Sequence, residues 1–216
     1  MNKKNKALEA LLEQKILPLY YHDDATICKD ILSALYKAGI RVVEFTDRGE
    51  HGIHNFKALK KEAEKNMPGL LLGIGTIKTK KQAKKFIEEG ADFIVSPSIN
   101  EDIAKVTEDL LWIPGCMTPT EIATAEECGA GLVKIFPGNA LGPSYIKAIK
   151  DIFPGMKFMP TGIGDIDEEN LKSWFKAGVV GVGMGSKLIS KELIENKDYE
   201  ELTNVTINTL QLVKKF

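Results

Sequence analysis

Eight short apolar runs recur along this chain, each followed by a helical pattern, with only short loops between them. Runs of this kind read as strands buried on both faces, the condition of parallel strands covered by crossover helices. They fall at 16–21, 41–46, 70–76, 93–96, 111–115, 131–137, 157–161 and 181–185. The helical patterns between them cover about 25–38, 53–66, 81–90, 100–109, 119–128, 144–152 and 167–177, and the chain from about 191 is mostly helical. Gly39 and Gly90 supply C-terminal stops, and Pro119 suits a first helical turn. A short amphipathic helix over 4–14, with Leu8, Leu11 and Leu12 on one face, precedes the first strand. Such alternation predicts a parallel α/β sheet, and eight units in 216 residues predict a single (β/α)8 TIM barrel over 1–216, with an extra N-terminal helix. An open doubly wound sheet is the rival architecture.

The chain is 44% hydrophobic, enough for a sizeable core, and its net charge of −1 gives no reason to expect nucleic acid or a membrane surface as partner. Lys3, Lys4 and Lys6 make a basic start, but no apolar segment follows as a signal peptide would need, and no run is long enough to span a bilayer. Cys28, Cys116 and Cys128 lack metal-type spacing and fit reduced thiols in the cytoplasm. His22, His51 and His54 are too scattered for a metal site and read as surface or loop residues.

The sixth run, GLVKIFP, carries a lysine in its middle. Alternation along a strand turns Leu132, Lys134 and Phe136 one way, Val133 and Ile135 the other. Burying an unpaired charge is costly, so an ammonium group there either finds a partner or gives up its proton. A neutral lysine is a nucleophile and the usual start of Schiff-base chemistry. Strand two poses the same problem with Glu44 among Val42, Val43 and Phe45. In a barrel, strands two and six lie opposite one another, so Glu44 and Lys134 are expected to meet inside. A purely structural ion pair is the plain alternative.

The ends of the other strands supply a mouth. Arg48 follows strand two, where a guanidinium can take a carboxylate bidentately. Thr76 ends strand three after Gly73 and Gly75, and Ser96-Pro97 and Pro114-Gly115 end strands four and five. TGIG at 161–164 and GMGS at 183–186 are glycine-rich turns of the sort whose amides hold phosphate.

EFTDR at 44–48, GIGT at 73–76, SP at 96–97, PGCMTPTE at 114–121, VKIFPG at 133–138, MPTG at 159–162 and GS at 185–186 fall in one order. In these motifs the chain resembles the 2-keto-3-deoxy-6-phosphogluconate (KDPG) and 4-hydroxy-2-oxoglutarate (KHG) aldolases, class I pyruvate aldolases on a (β/α)8 barrel. The resemblance spans nearly the whole chain, with VKIFP and PTE its most specific parts. It implies Lys134 as the Schiff-base lysine and Glu44 as the acid/base. It implies Arg48 and Thr76 as contacts for the pyruvate carboxylate, with Pro97 and Phe136 as pocket walls. Thr161, Gly162, Gly185 and Ser186 then belong to the distal part of the substrate site, expected to hold a phosphate. It further implies a small 2-keto acid as substrate, no metal, no cofactor beyond the covalent Schiff base on Lys134, and a homotrimer.

Two positions depart from the family pattern. After Pro-Thr, a second consecutive glycine is replaced by Ile163, and the loop runs on as Gly164-Asp165-Ile166. Asp47 stands where an apolar residue is common. The first departure predicts weaker phosphate discrimination, with Asp165 capping the helix near 167 or adding a negative charge that Lys187 offsets. The alternatives to a lyase are another phosphate-binding barrel, such as an isomerase or epimerase, and a non-catalytic binding barrel.

Overall fold

The computed structural model describes residues 2–216. Its strands are β1 (Ile16–Tyr20), β2 (Val42–Thr46), β3 (Leu71–Gly75), β4 (Phe93–Val95), β5 (Leu111–Ile113), β6 (Gly115–Cys116), β7 (Leu132–Ile135), β8 (Lys157–Pro160) and β9 (Val182–Met184). They pair in parallel in two curved sheets, ordered β5-β4-β3-β2-β1-β9 and β6-β7-β8. The helices are α1 (Lys3–Gln14), α2 (Ala25–Lys37), α3 (Gly52–Asn66), α4 (Lys80–Glu88), α5 (Glu101–Ala104), α6 (Pro119–Glu127), α7 (Gly138–Ile149), α8 (Glu168–Ala177), α9 (Lys191–Glu195) and α10 (Tyr199–Val213). The strand-helix alternation expected from the sequence is present throughout.

Three local differences have local causes. The run expected as one strand over 111–115 is split at Pro114, which has no N–H to give to a ladder. Ile113 still accepts from Ser96 N on one side (3.0 Å), while the Pro114 carbonyl accepts from Lys134 N on the other (2.8 Å). The helix expected over 100–109 shrinks to α5, beyond which the Thr107 hydroxyl bonds back to the Ile103 carbonyl at 3.0 Å. The helix expected from 144 instead starts at Gly138 and kinks at Gly142 (φ 72°), immediately before Pro143.

Two apolar layers hold the sheets. Val43, Phe45, Leu72, Ile74, Ile94, Val133, Ile135 and Phe158 pack outward under the helices. Leu17, Val42, Leu71, Phe93, Val95, Leu111, Ile113, Leu132 and Met159 gather on the concave side together with Ala7 and Leu11 of α1. Each such side chain contributes roughly 1.5–3 kcal/mol by leaving water. Val42, Leu71, Leu111 and Leu132 are the first residues of their strands, so α1 closes the N-terminal ends of the sheet. Gln14 at its end fixes this seat, donating to the Ile16 and Val42 carbonyls and accepting from the amides of Arg41 and Val42. With that end covered, the concave side opens toward the C-terminal ends of the strands.

Candidate active site

Period-two alternation carries the concave face upward from the leucine-valine layer. Val42 and Leu132 face inward, so Glu44 and Lys134, two residues further along β2 and β7, face inward one layer higher. Both are buried: Glu44 is 1% and Lys134 6% exposed. The sequence reading brings them to one interior, and the structure does so. It differs in one respect: no ion pair or hydrogen bond joins them among the described residues, and both Glu44 carboxylate oxygens lack a partner. Burial pushes the Glu44 carboxyl above the usual glutamate range, against the opposing pull of the Lys134 and Arg48 charges. A carboxyl so placed is available as a proton donor as well as an acceptor. The Lys134 ammonium position lies 5.1 Å from the centre of the Phe136 ring, whose face attracts a cation.

Close backbone approaches make room for these two groups. A Cβ at Gly75 would stand 1.7 Å from Glu44 Oε1, so the absence of a side chain there is what admits the carboxyl. Gly115, in register with Lys134, lets the Pro97 carbonyl approach to where a Cβ would be 2.3 Å away. Thr76 follows Gly75 with φ 65°, a left-handed backbone that a β-branched residue adopts only at a cost in energy. Arg48 is exposed just beyond β2. Asp47, the departure beside it, accepts from Gln82 Nε2 at 3.2 Å and packs over Gly52 at the start of α3.

A cavity of about 620 Å³ opens beside this pair, and Arg48, Phe136, Thr161, Gly162, Gly185 and Ser186 all border it. Lys134, Glu44, Thr76 and Pro97 lie outside its wall; Lys134 approaches the Phe136 ring on that wall, and the Arg48 charge acts on Glu44. The Thr161 hydroxyl is buried without a partner, against Gly183 of β9. Gly162 and Gly164 take φ 78° and 84°, and Ile163 between them is buried. Asp165 does not cap a helix, as one reading of the sequence expected. Asp167 caps α8, accepting from Asn170 N, because it sits directly before the first helical residue; Asp165 pairs with Lys187.

Sequence reasoning missed part of the wall. Tyr21 and His22, after β1, and Lys191 and Glu195 of α9 border the same cavity. The position of Tyr21 and His22 just past a strand's C-terminal end was a usable signal; α9 lies in the stretch expected as helix, but nothing local marked it as part of the cavity wall. The Tyr21 hydroxyl donates to Asp23, and loss of water around it, with that bond second, raises it to about 12. His22 Nδ1 accepts from Asp24 N at 3.0 Å, which leaves Nε2 to carry the ring's proton. Burial pushes the Cys28 and Cys116 thiols up to about 12, so neither supplies a ready thiolate. Among the described residues no cluster of His, Cys, Asp and Glu could hold a metal ion, and no helix is long and apolar enough to cross a membrane.

With this geometry in place, comparison with known proteins is specific. The 2-dehydro-3-deoxy-phosphogluconate aldolase of Haemophilus influenzae is 30% identical over 210 residues, 96% of each chain. The KHG/KDPG aldolase of Escherichia coli is 27% identical over 216 residues, 99% of each chain. The crystal structure of KDPG aldolase from Legionella pneumophila, with pyruvate captured as a covalent carbinolamine intermediate, superposes with a TM-score of 0.85 at 25% identity. It covers 94% of this chain and 97% of that one. The family model for KDPG and KHG aldolases matches residues 8–205, and the chain therefore belongs to the KDPG and KHG aldolase family.

Proposed function

We propose that this protein is a class I aldolase that cleaves a 2-keto-3-deoxy sugar acid, or 4-hydroxy-2-oxoglutarate, to pyruvate and an aldehyde. The observation that carries this reading is the pair of buried, inward-facing side chains, Lys134 and Glu44, with both carboxylate oxygens unpartnered. A buried carboxyl without a partner is costly unless a ligand supplies the missing hydrogen bonds.

The Lys134 amine adds to the C2 carbonyl of the substrate. The resulting carbinolamine loses water as Glu44 gives a proton to the departing hydroxyl. Glu44, now a carboxylate, takes the proton of the C4 hydroxyl. The C3–C4 bond breaks, its electron pair moves toward the iminium nitrogen, and the aldehyde leaves. Glu44 returns the proton to C3 of the enamine, and water hydrolyses the imine to free pyruvate and Lys134. The iminium accepts the electrons, so this chemistry makes no demand for a Lewis acid. Arg48 and Thr76 hold the C1 carboxylate, Pro97 and Phe136 flank the pyruvyl part, and Thr161, Gly162, Gly185 and Ser186 face the far end. The Phe136 ring beside Lys134 and the cavity shared by Arg48, Phe136, Thr161 and the two glycine turns support that placement.

We read the two sheets as one closed (β/α)8 barrel forming a single domain. Only Pro114 separates β5 from β6, and a bridge between Thr161 and Gly183 links β8 to β9. Assembly as a homotrimer rests on family membership, and a cytoplasmic location on the three free cysteines. Pyruvate with borohydride tests the central reading. A stable adduct should form on the peptide containing Lys134, and Lys134→Arg should abolish it while the protein stays folded, since a guanidinium forms no imine. An adduct that persists in the variant would refute the assignment.

A further inference from the structure

We infer that His22 is a substrate-binding residue, donating from Nε2 to an oxygen on the part of the substrate that leaves as the aldehyde; the inference rests on the aldolase reading above. His22, Arg48 and Ser186 lie two residues beyond the ends of β1, β2 and β9 respectively, and all three border the cavity. In the sheet β1 pairs with β2 on one side and with β9 on the other, Tyr20 in register with Phe45 and Pro18 with Met184. A substrate that reaches from Arg48 at its carboxylate to Ser186 at its far end therefore crosses the end of β1, where His22 stands.

The loop around His22 fixes its ring. Nδ1 accepts from the Asp24 amide at 3.0 Å. An imidazole whose Nδ1 accepts carries its proton on Nε2, so Nε2 is a donor, and no described residue accepts from it. The backbone is held as well. Asn55, 1% exposed, donates from Nδ2 to the carbonyls of His22 (3.0 Å) and Asp23 (2.9 Å). The Cys28 thiol donates to the same His22 carbonyl at 3.2 Å. Asp24 is fixed in turn as the cap of α2, its side chain accepting from the amides of Thr26 and Ile27. Tyr21, the neighbour on the wall, offers nothing comparable: its hydroxyl proton is spent on Asp23, and the oxygen lies 2.1 Å from where a Cβ at Gly49 would stand. His22 thus brings a half-buried donor, ordered before substrate arrives, so little entropy is lost in making the contact. The leaving part of a 2-keto-3-deoxy sugar acid carries hydroxyl oxygens that can accept it.

Pyruvate lacks that part, which supplies the test. For the full chain, kcat/KM for pyruvate release from 2-keto-3-deoxygluconate is measured beside the exchange of pyruvate's C3 protons with deuterated water, which passes through the same enamine. His22→Asn keeps an acceptor for the Asp24 amide but does not reach the Nε2 position; His22→Gln reaches it with an amide donor but lacks the Nδ1 acceptor. His22→Asn should lower kcat/KM for the sugar acid about tenfold more than it lowers the exchange, mainly through KM, as one lost hydrogen bond with the substrate oxygen left unpaired would. His22→Gln should stay within about threefold of the parent, since it restores that bond. Were His22 only a brace for the loop, the order would reverse, with Asn replacing it well and Gln badly. That reversal, equal effects in the two variants, or a loss in His22→Asn shared by the exchange would overturn the inference. A parent protein that neither exchanges pyruvate protons nor releases pyruvate would strike the aldolase reading and this inference with it, whereas exchange in the parent with the order reversed strikes His22 alone.

Discussion

Gly75→Ala is a one-carbon probe of Glu44. The added Cβ would stand 1.7 Å from Glu44 Oε1, 2.5 Å from its carboxyl carbon and 2.8 Å from Cγ. Ordinary contact begins near 3.4 Å, so the carboxyl must retreat by about 1.7 Å. Gly75 has no left-handed φ, so alanine is compatible with the backbone. The retreat breaks no hydrogen bond, because neither carboxylate oxygen has one to lose. The stability cost is then that of overpacking, about 1–3 kcal/mol, which a domain of ordinary stability survives. Catalysis is less forgiving: displacing a reacting group by about 1 Å costs about 10²-fold. We expect kcat for pyruvate release to fall by about 10²–10³, or roughly 2.7–4 kcal/mol of transition-state stabilisation. In a Glu44→Ala background the collision is gone, and adding Gly75→Ala should cost less than about threefold. Full turnover in the folded single variant, or equal losses in both backgrounds, would refute the claim that Gly75 acts by placing Glu44.

Glu44→Gln keeps the shape but removes the proton shuttle, and turnover should drop by about 10²–10⁴ in steady-state assays. The same substitution tests burial. Because the folded state raises Glu44 above its ordinary value of 4.5, it binds the proton more tightly than the unfolded chain does. That contribution is fully present below the unfolded value and is lost as pH rises through the folded one. The Tm of Glu44→Gln relative to the parent should therefore increase as pH climbs above about 4.5, and a flat difference would contradict the shift. Thr76→Gly relieves a left-handed backbone worth about 1–3 kcal/mol but loosens the unfolded chain by up to about 1 kcal/mol. Denaturant melts should show a modest gain in stability together with a higher KM for the keto acid; a destabilised variant would show that the backbone there is unstrained.

The sequence by itself determined the alternation of strands and helices and the direction of the two decisive side chains. Both are local properties: apolar runs of strand length bounded by glycine and proline, and a period of two that turns Leu132 and Lys134, or Val42 and Glu44, to one side. Of the strand-end residues, Arg48, Phe136, Thr161, Gly162, Gly185 and Ser186 border the cavity while Thr76 and Pro97 do not, since strand ends are local punctuation but which of them line one cavity is not. What the tertiary structure alone decided depends on groups far apart in sequence. The helix seat at Asp167 rather than Asp165 was open locally, because either acid precedes a helical pattern, and Lys187 settles which of them is engaged elsewhere. Tyr21 and α9 share a cavity although more than 160 residues separate them. The raised Glu44 carboxyl belongs to neither β2 nor any motif. It follows from enclosure on all sides, by a sheet whose glycine at 75 makes the space and whose Lys134 and Arg48 do not fully offset the loss of water.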